Sequence, residues 1–218
     1  MLHRIVEDQA SHTSVRTITD TQEEYEFIET LIEGTKPEIE LTEHHYLIRT
    51  QFRYPLPVAP EYAARFRPPF FHRNVFYGCF ERITACYEAA FHWLRERVHV
   101  PGLSQTPEPR THFEVEFNDP NAIDICRHQN IAQIMAKNDY SHSHRFIEDS
   151  PQASSIIYPS CREPKHQNCA AVFEVGTLGQ RPLSMENLFF IYNSATRSCL
   201  ITGPNVDPAL VIAWQLVS

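Results

Sequence analysis

Glycine is sparse in this sequence, with six in 218 residues, and none falls in a G-x-G-x-x-G or P-loop run. The backbone cradles by which Rossmann and P-loop proteins hold phosphates are therefore missing, which disfavours those nucleotide folds. No stretch of about 18 apolar residues occurs, so no membrane-spanning helix is expected. The opening residues, MLHRIVEDQASHT, lack a basic segment followed by an apolar one, so a signal peptide is not expected either. The cysteines at 79, 86, 126, 161, 169 and 199 match no CxxC or zinc-knuckle spacing. Several sit in apolar runs, where a thiol behaves as a small hydrophobe. His44-His45 and His142-x-His144 have no third ligand in register and no HExxH is present, so no metal site is expected. These absences point to a soluble, reduced, cytoplasmic protein.

Charge is present but unevenly placed. Residues 1–44 hold eleven acidic residues against Arg4, Arg16 and Lys36, and so carry the whole net charge of −8. The remaining 174 residues are neutral, with sixteen of each sign. A protein that tracks nucleic-acid phosphates needs a large basic surface, so direct nucleic-acid binding is not expected. Residues 45–75 nevertheless gather Arg49, Arg53, Arg65, Arg67 and Arg73 against one acid, Glu61. All five are arginine, which favours forked recognition of phosphate or carboxylate on a small anionic ligand.

The apolar pattern predicts one α+β domain, a mixed twisted sheet flanked by helices, behind an acidic N-terminal extension (1–43) with one helix. That helix is expected in DTQEEYEFIETLIEGTKP, with Tyr25, Ile28, Leu31 and Ile32 as its stripe and Gly34 and Pro37 as its stop. The clearest helix is RITACYEAAFHWLRER, with Ile83, Cys86, Tyr87, Ala90, Phe91 and Leu94 on one face. Strands are expected in HHYLIRTQF, NVFYGC, THFEVEF, SSIIYPS, CAAVFEV, NLFFIYN and SCLITG. Residues 119–150 read as mostly helical. The proline-rich run RYPLPVAPEYAARFRPP reads as an ordered loop.

Single residues argue weakly. Glu88 borders the apolar stripe of its helix, where a carboxylate is more often plain surface than a catalytic group held by a rigid element. Tyr77 in a strand is by default a core aromatic, and Ser160 after a strand a turn residue, with no GxSxG elbow around it. The arginines are by default a solvated loop paired with the acidic segment.

Their order says more. RFRPPFFHRNVFYGCFERITACYE resembles the core motif of the RES domain: Arg65-Phe66 for its Arg-aromatic pair, Tyr77-Gly78 for its "fYg" strand, and Thr84-Ala85 with Glu88 for "tAxxE". IIYPSCR is similar to the later "YPSxR" element and places the serine at Ser160. FRYP resembles an arginine-bearing motif of one RES branch and nominates Arg53. The resemblance runs from HRIVEDQ to NLFFIYN, with a catalytic domain over 44–218. One departure is Ala63-Ala64, where the family usually has glycine; if a phosphate must approach that backbone, alanine would reduce activity.

The resemblance implies an ADP-ribosyltransferase-like fold and a toxin that cleaves the nicotinamide–ribose bond of NAD, by hydrolysis or phosphorolysis. It also implies an Xre-type antitoxin as partner, a homodimer among the assemblies to be tested, and no cofactor or metal. Glu88 would oppose the oxocarbenium charge, Arg53 and Arg65 would hold pyrophosphate, Tyr77 would stack on nicotinamide, and Ser160 would bond a ribose hydroxyl or orient Glu88. Protein ADP-ribosylation and a degenerate, binding-only RES fold are the alternatives.

Overall fold

In a computed structural model, which describes residues 1–7, 21, 23–24, 27–28, 31, 43–53, 56–100, 106–206 and 208–218, nine strands form one mixed sheet. They are β1 (Leu2–Glu7), β2 (Phe76–Cys79), β3 (Glu108–Phe117), β4 (Ile123–Asp124), β5 (Ser155–Pro159), β6 (Asn168–Val172), β7 (Leu178–Asn193), β8 (Ser198–Thr202) and β9 (Leu210–Ala213). Their order is β4-β5-β6-β2-β1-β3-β7-β8-β9. β4 and β5 run parallel, and the other neighbours are antiparallel. Among the described residues, the helices with continuous bounds are α1 (Tyr46–Arg49), α2 (Arg82–Arg95), α3 (Ile131–Ile134), α4 (Ser141–Glu148) and α5 (Trp214–Val217).

The middle of this sheet holds the feature that makes a site. β1 pairs with β3 along its whole length, from Leu2–Val115 to Glu7–Arg110. With β2 it shares a single register pair, His3–Cys79. The two strands therefore part after one contact, and the Arg4 guanidinium reaches across the opening to the Tyr77 carbonyl. Gly78 allows the contact that remains, because a Cβ there would stand 3.0 Å from the Leu2 Cβ. Leu2–Glu7 falls within residues 1–43, so that segment begins with an inner strand of the sheet. Its reading was obscured by polar residues on both faces, His3 on one and Arg4 on the other. The helix expected at 20–37 lies mostly outside the described residues.

Three apolar clusters fill the faces. On one face β2, β5 and β6 pack around Phe66, Ile134, Ile147, Ile156 and Tyr158. Beside them α2 and α5 pack Phe91, Trp93, Leu94 and Val217 on Leu188, Phe190 and Ile201. Ile5 touches both clusters. The opposite face carries Leu2, Phe76, Phe113, Val115 and Val172 under Leu47 and Ile48 of α1. Burying each such side chain contributes about 1.5–3 kcal/mol.

Three expectations are corrected. HHYLIRTQF is a helical turn, Tyr46–Arg49, followed by a 3-10 turn, Thr50–Phe52. Adjacent Leu47 and Ile48 are both buried in one cluster, which a strand, with alternating sides, does not allow. His45 Nδ1 also accepts the Leu47 N–H at 3.4 Å, capping the turn. Residues 119–150 contain only the short α3 and α4, plus β4. Along α2, Ile83 is 42% exposed while Thr84 is fully buried. The inner stripe is thus turned toward Thr84, Ala85 and Glu88.

Candidate active site

A cavity of about 300 Å³ opens where β1 leaves β2, at the seam between the two clusters on the α2 face. Glu88 lines it from α2. Its Oε1 accepts a hydrogen bond of 2.6 Å from Ser160 Oγ. Ser160 follows β5 and is 1% exposed. Its Oγ also accepts the backbone N–H groups of Arg162 at 3.1 Å and Glu163 at 3.0 Å. A hydroxyl has one proton and two acceptor sites, so all are occupied. Ser160 therefore orients Glu88, and has no further hydrogen-bonding position for a ligand.

Four guanidinium groups line the same cavity: Arg4, Arg65, Arg67 and Arg162. Arg162 is 3% exposed. It donates to the carbonyls of Val217 at 2.6 Å and Lys137 at 2.9 Å, and lies 3.6 Å from the Phe91 ring centroid. Arg65 donates from Nη1 to the carbonyls of Ile134 and Ala136, at 2.9 and 3.0 Å, and from Nη2 to Cys161 Sγ at 3.1 Å. Much of its fork thus already holds the 134–136 loop. The Nε groups of Arg4 and Arg67 are buried without a hydrogen-bond partner, a costly state that favours an entering acceptor.

Burial and these neighbours act on Glu88 in opposite directions. Burial pushes its pKa up; the Ser160 hydrogen bond, then Arg162, then Arg65 pull it back toward the carboxylate. Tyr77 lines the cavity from β2, and its Oη accepts the Phe66 N–H at 3.1 Å. Burial pushes that phenol up to about 12, so it stays neutral. Burial also lowers Arg4 to about 10, which leaves it charged at neutral pH.

Arg65, Tyr77 and Glu88 thus line one space, with Ser160 hydrogen-bonded to Glu88 beside it, from segments up to 95 residues apart in sequence. A family model for the RES domain matches residues 38–184, a span that contains all four. The chain belongs to the RES domain family. No curated protein sequence matches it. Arg53 and Arg49 are not among the residues that line the cavity. Arg4 and Arg162 take that place, and sequence reasoning missed both. Arg162 is the final residue of the YPSCR run that nominated Ser160, so a signal for it existed. Arg4 had none, because its loop-free route to the site depends on the gap between β1 and β2. The alanines that replace glycine in this RES domain carry no backbone strain: Ala63 has φ −61° and ψ 145°, and Ala64 is not among the described residues with positive φ.

Proposed function

We propose that this RES-domain protein degrades NAD by cleaving the nicotinamide–ribose bond, as a glycohydrolase or phosphorylase, on a sheet of the ADP-ribosyltransferase type. The observation that carries this reading is the Glu88 carboxylate, fixed by Ser160 inside a cavity lined by four guanidinium groups. In the reaction the C1–N bond breaks and its electron pair leaves with nicotinamide, which departs neutral. The ribosyl cation that forms then bonds to an oxygen of water or phosphate, which releases a proton if water attacks. A carboxylate beside the ribose stabilises that cation more than it stabilises the bound ground state. Ser160, Arg162 and Arg65 favour the ionised form of Glu88 that this role needs.

The volume lies at the small end of ligand pockets, about 300–1,000 Å³. The nicotinamide riboside end fits inside, with Tyr77 beside the ring, pyrophosphate near the guanidinium groups, and adenosine outside. No step requires a metal. By analogy with RES–Xre pairs, the protein is a cytoplasmic toxin neutralised by an Xre-type partner. Expression without a partner that leaves growth and NAD unchanged would remove the toxin reading.

The direct test incubates purified protein with NAD, with and without phosphate. The expected products are nicotinamide with ADP-ribose, or with its 1″-phosphate when phosphate is the acceptor. NAD left intact by folded protein in both conditions would overturn the enzyme reading. A second reading, a binding module, draws on the commitment of Arg65 to Ile134, Ala136 and Cys161. Saturable NAD binding without nicotinamide release identifies it.

A further inference from the structure

On the α2 face of the sheet, three side chains of β1 and β3 converge beside the cavity. His3 and Glu114 are register partners across the two strands. His112 precedes Glu114 by two residues, so the pleat places it on the same face. His3 Nδ1 is 3.2 Å from His112 Nε2 and 3.7 Å from Glu114 Oε1. All three potential ligand atoms lie within 4.8 Å of one another. The imidazole planes differ by 11°, with centroids 5.3 Å apart.

We propose that His3, His112 and Glu114 form a binding site for a zinc-like divalent transition-metal ion. Two Zn–N bonds of about 2.0–2.1 Å at a tetrahedral angle place their nitrogens about 3.3 Å apart, close to the spacing here. Two imidazoles and one carboxylate are a borderline N/O donor set, suited to zinc and its neighbours rather than to magnesium or calcium. Further structure supports the ligands. His112 is 1% exposed, and its Nδ1 lies 2.9 Å from Glu186 Oε1 on β7. The contact is a close ion pair outside hydrogen-bond alignment; a proton on Nδ1 facing that carboxylate leaves the Nε2 lone pair for a metal, and a carboxylate on that side is common behind metal-bound histidines.

The surrounding charge has the right sign. Glu114, Glu186 and Glu81 face the histidines against two cations, the N-terminal ammonium and Arg82, and Arg82 is itself paired with Glu186. All the ligands stand on paired strands, so little order must be created on binding. Bound metal would clasp the N-terminal strand to β3. Sequence inspection could not find this site, because His3 and His112 are 109 positions apart and form no local motif.

The test uses the purified 218-residue chain, dialysed against chelator and then freed of it, without NAD. Zn²⁺ is titrated by calorimetry and Co²⁺ by its visible d–d absorption. One equivalent should bind, with tetrahedral-type Co²⁺ bands and a rise in melting temperature. His3→Gln and Glu114→Gln should each weaken binding at least about tenfold, and Glu186→Gln should weaken it by about 10–100-fold. These variants are preferred because His112, wholly buried, is needed for packing. Each variant's melting in chelator verifies its fold. No stoichiometric binding by folded wild type would overturn the proposal and leave a plain histidine–histidine hydrogen bond. Unchanged affinity in both His3→Gln and Glu114→Gln would also overturn it, by placing the ion elsewhere.

Discussion

Glu88 and His112 are both recessed titratable groups on the α2 face of the sheet, and the charges around them differ in sign. Burial moves each toward its neutral form: the Glu88 pKa rises and the His112 pKa falls. What differs is the company. Glu88 faces Ser160, Arg162 and Arg65, which pull its pKa back down against burial. His112 faces Glu186, with Glu114 and His3 beside it. The first arrangement suits an anionic ligand in which positive charge develops at one atom. The second suits a compact cation. Burial alone therefore says little about function; the sign of the second layer of charge separates these two sites.

The strongest way to break that comparison is Glu88→Gln. It keeps the shape and the Ser160 hydrogen bond but removes the charge that opposes an oxocarbenium ion. Turnover, followed as nicotinamide release, should fall about a hundredfold or more, about 3 kcal/mol, with NAD affinity little changed. Near-normal turnover in the folded variant would remove Glu88 from the mechanism.

Ser160→Ala should act next. The backbone N–H groups of Arg162 and Glu163 lose their acceptor, which costs about 1–3 kcal/mol of stability by denaturant unfolding. Glu88 loses the first influence that lowers its pKa. Turnover should therefore fall by roughly tenfold, and the acid limb of the pH–rate profile should move to higher pH. A merely structural serine would leave that limb in place.

Arg65→Lys keeps the charge but not the fork. The Ile134 and Ala136 carbonyls lose their shared donor, so stability should drop by about 1.5–3 kcal/mol and NAD titration should show weaker binding. Unaltered melting would mean that these contacts contribute little.

The smallest effect sharpens the comparison through stability. The folded pKa of Glu88 lies above its unfolded value, which for glutamate is about 4.3. Such a group contributes stability below the unfolded pKa and loses it as pH rises through the folded pKa. Above the folded pKa of Glu88 the wild type carries the cost of a buried charge that Glu88→Gln does not. The variant should melt at or slightly above the wild type at neutral pH, and that gap should close as pH falls to about 4. A gap that widens on acidification would contradict the direction of the shift.

Local pattern was enough for α2, β2, β3, β5, β6 and β8, because each carries its apolar period or β-branched run within a few residues. The order of Arg65, Tyr77, Glu88 and Ser160 was also legible, and the RES domain match covers all four. HHYLIRTQF was misread because a helical turn so short has no period to detect, and its form depends on burial under the sheet. The 1–43 segment concealed β1, whose alternation is broken by buried polar residues.

Other features depended on distant parts of the chain meeting. Arg4 reaches the cavity because β1 pairs with β3 and parts from β2. Arg162 is held there by carbonyls at 137 and 217. The commitment of Ser160 to Glu88, rather than to a ligand, follows from a contact across 72 positions. His3 and His112 adjoin only through strand register. Periodicity is a property of neighbours along the chain, so it can place Glu88 on the inner side of a helix. Register, charge environment and the gap in the sheet are set by pairings between remote segments, whose free energies no local window contains.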